Sequence, residues 1–165
     1  DLGGGSLEVI HFREGEGVFA ASLPLGAVRL THRFLPDHDG PVAPNILESI
    51  EHHIGEVFQK AGIGLCDPPL GLVGSGGAFF IARSLINPRC PTLHLADLEE
   101  HLETLSQLPL EARKAIPGLP PERADIMIPA LQTMVTLCKL ARQDAFLNTK
   151  FNLRFGILQE QFQST

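Results

Sequence analysis

Two stretches of the chain combine residue types and spacing that suit chemistry: Asp1-Leu2-Gly3-Gly4-Gly5-Ser6-Leu7-Glu8 and Leu72-Val73-Gly74-Ser75-Gly76-Gly77. Consecutive glycines let the backbone gather its N–H groups into a concave nest, with no Cβ between that nest and a bound anion. A carboxylate beside such a nest suits Mg²⁺, which proteins usually hold with one or two acids plus substrate phosphates. One glycine cluster alone would serve equally well as a turn chosen for shape. Two clusters, the first headed by an acid, predict a clamp for a phosphate chain and its metal.

The elements that must carry these loops can be read from periodicity. Residues 7–12 and 18–25 have strand composition, and the polar link Arg13-Glu14-Gly15-Glu16-Gly17 makes them a hairpin. Leu25 to Phe34 continues through Gly26 as a turn and a short helix. Asp37 to Pro44 is a loop. Asn45 and Glu48 have capping-box spacing, and Ile46, Leu47, Ile50, Ile54, Val57, Phe58 and Ala61 recur at i, i+3/i+4, which predicts an amphipathic helix over 46–61. Leu70–Val73 is a short strand that runs into the second glycine turn. A helix over 78–85 opens on that turn, and its free N–H groups and dipole favour an anion. Asp97 is expected to cap a helix reaching Leu108, and Pro109 to open another short one. The most apolar helix lies between Arg123 and Arg142, with Pro129 at its regular start or at a kink. A strand at 145–148 and a helix at 153–162 complete an α/β pattern: a mixed sheet covered by helices.

Composition bounds the function. The 165 residues are 44% hydrophobic, enough for a real core, and are read as one domain. If Asp1 ends a strand, that strand begins before it, so the chain is expected to be a piece of a longer protein. The net charge is −6, there is no Trp or Tyr, and no basic run occurs, which argues against a nucleic-acid partner. No apolar run reaches the ~18 residues of a membrane span, and Cys66, Cys90 and Cys138 are spaced like reduced thiols of a cytoplasmic protein.

With the elements in place, an ordered set of motifs resembles the exopolyphosphatase / guanosine pentaphosphate phosphohydrolase family. The set comprises Asp1–Ser6 with Glu8, Ser22–Thr31, Gly74–Gly77, Ile116–Leu119, Arg123–Ile126, and Arg154 with Gly156–Leu158. The resemblance implies a ribonuclease H-like lobe of the actin, heat-shock-70 and sugar kinase superfamily. It makes 1–165 the second, C-terminal lobe of a two-lobe phosphatase; the absent first lobe carries a glutamate that activates water in the family. The implied activity is Mg²⁺-dependent removal of a terminal phosphate from polyphosphate or guanosine pentaphosphate, with the isolated lobe weakly active or inactive.

Carried over position by position, Asp1 is the metal-associated acid and Glu8 an acid that orients metal-bound water, so both are catalytic and metal candidates. Gly3, Gly4, Gly5 and Ser6 form the first phosphate loop, and Gly74, Ser75, Gly76 and Gly77 the second. Arg123 and Arg154 are further phosphate-binding candidates. The implied partners are the substrate, the first lobe and, as an option left open, a second copy in a homodimer. Three positions depart from the family pattern: Leu7 and Ala78 stand where Thr is usual, and Phe155 where an acid is usual. These departures keep open the alternative of a polyphosphate or nucleotide sensor without turnover; a lobe of a related ATP-dependent kinase is permitted by the phosphate loops alone, and the motifs at Ile116–Ile126 and Arg154–Leu158 argue against it. His52, His53 and Glu56 read as a solvated helix face, as do His94 and His101. Arg29, Arg83 and Arg113 read as ion-pairing surface residues.

Overall fold

The chain is described by a computed structural model over residues 1–36, 39–65 and 71–151, together with Phe155, Leu158, Gln159, Gln161 and Phe162. Strands β1 (Leu7–Arg13) and β2 (Glu16–Leu23) form an antiparallel hairpin. Its tip, Glu14-Gly15, takes positive φ at both residues (54° and 87°), the twist a two-residue hairpin requires. Leu7 pairs with Leu23 and Glu8 with Ser22. Because side chains alternate, the leucines are buried while Glu8 and Ser22 point to the opposite face.

Helices α1 (Ala27–Phe34) and α2 (Pro44–Lys60) follow, then β3 (Leu72–Gly74), α3 (Gly77–Ile86), β4 (Thr92–His94), α4 (Leu95–Ser106) and α5 (Leu110–Lys114). A 3-10 turn at Pro121–Arg123 leads into α6 (Met127–Ala141), and β5 (Ala145–Asn148) closes the order. The second sheet runs β3-β5-β4, with β3 parallel and β4 antiparallel to β5. An α/β architecture with a mixed sheet flanked by helices is therefore present, divided among the described residues into a hairpin and a three-stranded sheet. The two are joined at Leu2, which bridges to Leu7 and donates its N–H to the Ser75 carbonyl at 3.2 Å.

Helix α6 is the core. It is buried from Met127 through Cys138 and packs against α1, α2, α3 and α4. Its polar members are satisfied locally: the Thr133 hydroxyl donates to Pro129 O (2.8 Å) and that of Thr136 to Gln132 O (2.7 Å). Burial pushes the Cys138 thiol up to about 12, so it packs as a small apolar group.

Several boundaries differ from the sequence reading. Helix α2 starts at Pro44 with Ala43 as N-cap, and no side chain caps it. Proline's fixed φ suits the first helical position, and this leaves Asn45 inside the helix rather than capping it. Asp97 likewise does not cap; α4 starts at Leu95 after His94, and Asp97 lies in the first turn, where its charge complements the helix dipole. Strand β4, three residues long, was too short for periodicity to reveal. Helix α6 begins two residues before Pro129, which sits in the first turn where its missing N–H leaves no bond unmade. Of the helix expected over 153–162, the described residues Phe155, Leu158, Gln159, Gln161 and Phe162 are helical. Among the described residues no helix is long and apolar enough to cross a membrane.

Candidate functional site

The first glycine loop closes on itself. Gly3 N–H donates to Ser6 O at 3.0 Å, and Glu8 N–H donates to Asp1 O at 2.9 Å, which sets the two acids side by side on the backbone. Its carbonyls are turned toward α1. Gly3 O accepts from Ala27 N–H (3.0 Å), Gly4 O from Arg29 N–H (3.1 Å), and Gly5 O from Arg29 Nε (2.9 Å). Gly26 makes this mounting fit, since a Cβ there would lie 2.3 Å from Gly4 O, Gly5 C and Ser6 N. With the carbonyls committed, the N–H groups of Gly4, Gly5 and Ser6 donate to no described acceptor. They are left for a ligand or water.

The second loop leaves β3 at Gly74, whose carbonyl accepts two bonds, from Asn148 Nδ2 (3.1 Å) and Thr149 N–H (3.0 Å). Gly76 is the N-cap of α3 at φ 99°, a conformation that L side chains rarely adopt. No side chain caps this helix. The N–H groups of Gly77, Ala78 and Phe79, which no carbonyl of the helix can reach, are therefore open at its positive dipole end.

The two loops touch. Besides the Leu2–Ser75 backbone bond, the Ser75 hydroxyl donates to Asp1 Oδ2 at 3.0 Å. A Cβ on Gly76 would come within 2.5 Å of Asp1 Oδ1. Asp1, Gly3–Ser6, Glu8 and Gly74–Gly77 thus converge on one place, with two sets of open amides beside two carboxylates.

Glu8 is held as an anion. Its Oε1 accepts from the Ser6 hydroxyl (2.5 Å) and the Ser22 hydroxyl (3.0 Å). The Ser6 bond is the main reason its carboxyl titrates below the usual range, and burial opposes it only in part. Among the described residues no three His, Cys, Asp or Glu side chains gather as a metal cage. Two acids with one oxygen each engaged by serine still fit Mg²⁺, which takes few protein ligands and fills its shell with phosphate and water.

Other candidates fall elsewhere. Arg123 is exposed on the 3-10 turn, and its side chain joins neither loop by a described hydrogen bond or ion pair. Arg154 lies outside the described residues. Leu7 is buried on the face of β1 opposite Glu8, and Ala78 is buried in α3, so both departures sit in the core. Phe155 is about half exposed. Arg113 is no surface residue: it is 1% exposed, with Nη1 3.4 Å from Ala124 O and no hydrogen-bond partner among the described residues for its other guanidinium nitrogens. Arg29 is also no surface ion pair, since it holds the first loop, and Arg83 donates to Pro88 O at 3.1 Å. His52 and Glu56 do form an exposed pair, 3.4 Å apart.

Sequence reasoning missed Ser22 and Asn148 as parts of the site. Ser22 becomes visible once the hairpin register sets it opposite Glu8. Asn148 is a buried amide at the end of a strand, a position whose value depends on β5 lying beside β3.

Comparison with known proteins gives the family. Residues 1–165 match the Ppx/GppA phosphatase family. A Streptomyces coelicolor relative, the uncharacterized protein SCO0757, is 29% identical over 180 residues, covering 96% of this chain and 50% of its own. The crystal structure of the Aquifex aeolicus Ppx/GppA family member superposes with a TM-score of 0.84 at 21% identity, covering 99% of this chain and 55% of that one. An exopolyphosphatase from Cytophaga hutchinsonii gives a TM-score of 0.84 at 21% identity, with 99% and 56% covered. The chain spans about half the length of these relatives.

Proposed function

The chain belongs to the Ppx/GppA phosphatase family, and on that footing we propose that it is the second lobe of a hydrolase that removes the terminal phosphate of inorganic polyphosphate or guanosine pentaphosphate. The observation that carries this reading is the contact between the loops: Ser75 on Asp1, Leu2 on Ser75, and open amides on both sides. Phosphoryl transfer needs little covalent help from protein and much positioning and charge neutralisation. Gly4, Gly5 and Ser6 amides cradle one set of phosphate oxygens; the open first turn of α3 takes another. Asp1 and Glu8 would hold Mg²⁺, which would neutralise phosphate charge and lower the pKa of bound water. Ser6 and Ser22 keep Glu8 ionised and fixed. Water attacks the terminal phosphorus, the bridging P–O bond breaks, and the shortened chain leaves with the bridging oxygen. The proton of that water goes to a base on the first lobe, so the lobe alone is weakly active or inactive. The unpaired thiols of Cys90 and Cys138 suit a reducing compartment such as the cytoplasm.

The test is phosphate release by the full-length protein, with Mg²⁺, from long-chain polyphosphate and from guanosine pentaphosphate. Release from either supports the reading. Binding without release replaces it with a sensor, and phosphorylation of a small acceptor by ATP replaces it with a kinase.

A further inference from the structure

A cavity of about 360 Å³ lies where α2 and α4 pack on α6, and none of its lining residues belongs to either glycine loop. Val42, Leu47, Leu102 and Val135 form its apolar part. Its charged part is Glu51 of α2, Glu99 and Glu103 of α4, and Lys139 of α6. Lys139 Nζ lies 3.4 Å from Glu51 Oε2 and 3.8 Å from Glu99 Oε1, so one ammonium is shared between two carboxylates. The carboxylate of Glu103 has one described partner, Gln107 Nε2 at 3.5 Å. Three acids against one base leave the cavity anionic.

Exposed glutamates on a helix need no explanation. Gln132, which also lines the cavity, does. It is 3% exposed and stands in the middle of the helix that forms the core. Both of its described side-chain bonds are made by Nε2, to Glu51 Oε2 at 3.4 Å and to Thr136 Oγ1 at 3.2 Å. Its Oε1 has no donor among the described residues. A buried amide oxygen left without a donor costs about 1–3 kcal/mol, so this position favours an occupant that brings N–H or O–H groups. The acids select its charge, and their spacing selects its shape. Among the described residues no three His, Cys, Asp or Glu groups gather closely enough to hold a metal ion. A compact cation cannot satisfy them together, whereas an extended one with several charges can.

We propose that this cavity is a binding site for a linear aliphatic oligoamine. Its ammonium groups pair with Glu51, Glu99 and Glu103, one of them donates to Gln132 Oε1, and its methylenes lie on Leu47, Leu102 and Val135. Long amines are built for such a surface, since their stems cover apolar area while their heads keep polar partners. The volume is that of a small-molecule site. Lys139 holds part of the same charge in the empty cavity, so it competes with the ligand for Glu51 and Glu99. Binding there does not depend on the phosphatase reading, because the cavity shares no residue with the glycine loops.

The experiment is calorimetric titration of the full-length protein with spermidine, in the absence of any phosphate substrate. One molecule should bind per chain and saturate. Glu51→Gln and Glu103→Gln should each weaken binding roughly fivefold, the size of one partly exposed charge pair. Lys139→Gln should act in the opposite direction and tighten it by a similar factor, because it frees two carboxylates from their internal partner. Glu16→Gln, on the exposed start of β2, should leave the affinity unchanged. Four results would overturn the site: no saturable binding, equal weakening by Glu16→Gln, displacement of spermidine by equimolar Mg²⁺, or weaker binding in Lys139→Gln. Tighter binding of an oligolysine peptide with the same dependence on Glu51 and Glu103 would also overturn it, and would make the cavity a protein-docking surface. Phosphate release by the same protein is read separately, so either reading can fail alone.

Discussion

Helices α1 and α3 each begin at a glycine loop, yet their N-termini are used in opposite ways. The start of α1 is closed, because its early N–H groups bond the carbonyls of Gly3 and Gly4. The start of α3 is open, with Gly76 as a cap that offers no side chain. A helix end has the same unsatisfied donors wherever it occurs. In α1 they fix the shape of the neighbouring loop, and that loop's own amides then face outward. In α3 they stay open, and in the proposed function they are themselves the anion donors. The comparison separates a mount from a cradle, and it divides the expected consequences of mutation between stability and binding.

The largest effects should come from the carboxylates shared by both halves. In the full-length protein, Asp1→Asn and Glu8→Gln should each lower phosphate release by roughly 10²–10³-fold, as loss of one preorganised charged group at a transition state typically does. Steady-state release of phosphate from polyphosphate measures this. Turnover close to wild type in either variant would remove that acid from the mechanism.

The glycines sharpen the contrast. Gly26→Ala pushes a methyl into backbone at 2.3 Å, where nothing flexible can yield. It should cost about 1–3 kcal/mol of stability by overpacking, read as a lowered denaturation midpoint. Gly76→Ala meets both a φ of 99° and the Asp1 carboxylate. It should weaken phosphate binding more than it lowers the midpoint, because it disturbs the open end rather than the mount. If the two variants behaved alike in both assays, the division between mount and cradle would fail.

Ser6→Ala tests the electrostatics of the first loop. The Ser6 hydroxyl is the first cause of Glu8's low carboxyl pKa. A depressed pKa means that the anion's stabilisation is present above the unfolded-state value and lost as pH falls through the folded one. Without Ser6 that loss sets in at higher pH. The acid limb of the pH–rate profile should move up, and turnover at neutral pH should fall about tenfold for one charge-assisted bond. An unmoved acid limb would mean that Glu8 does not govern it.

How much of this was legible in the sequence depended on range. The loops, the hairpin and the amphipathic helices follow from local composition, and the glycine clusters after Asp1 and at Gly74 are legible there as candidate phosphate loops. What escaped depended on distant neighbours. Gly26 reads as a turn glycine until Gly4 and Gly5 are packed against it. Arg113 reads as a surface cation because charge predicts exposure on average, and only tertiary packing shows it enclosed, whereas Arg29 is exposed as expected and packing adds its grip on Gly5. Asn148 lies 74 residues from the carbonyl it holds. Capping failed at Asn45 and Asp97 for a local reason: Pro44 and Leu95 already stand inside their helices.

The smallest effect on turnover should come from the residue that looked most damaging. Leu7 replaces a threonine that is usual in the motif, which suggests a hydroxyl missing from the phosphates. Strand alternation gives another answer. Ser6 and Glu8 share one face of the strand and are hydrogen-bonded there, while Leu7 turns to the other and is buried against the hairpin partner Leu23. Leu7→Thr would therefore place a hydroxyl in apolar surroundings rather than in the site. It should lower stability by about 2–4 kcal/mol, through lost burial and an unmet polar group, and leave turnover barely changed below the denaturation midpoint. A marked gain in turnover would show that the hydroxyl reaches the phosphates, and that the first loop does not hold its strand in the register found between Leu7 and Leu23.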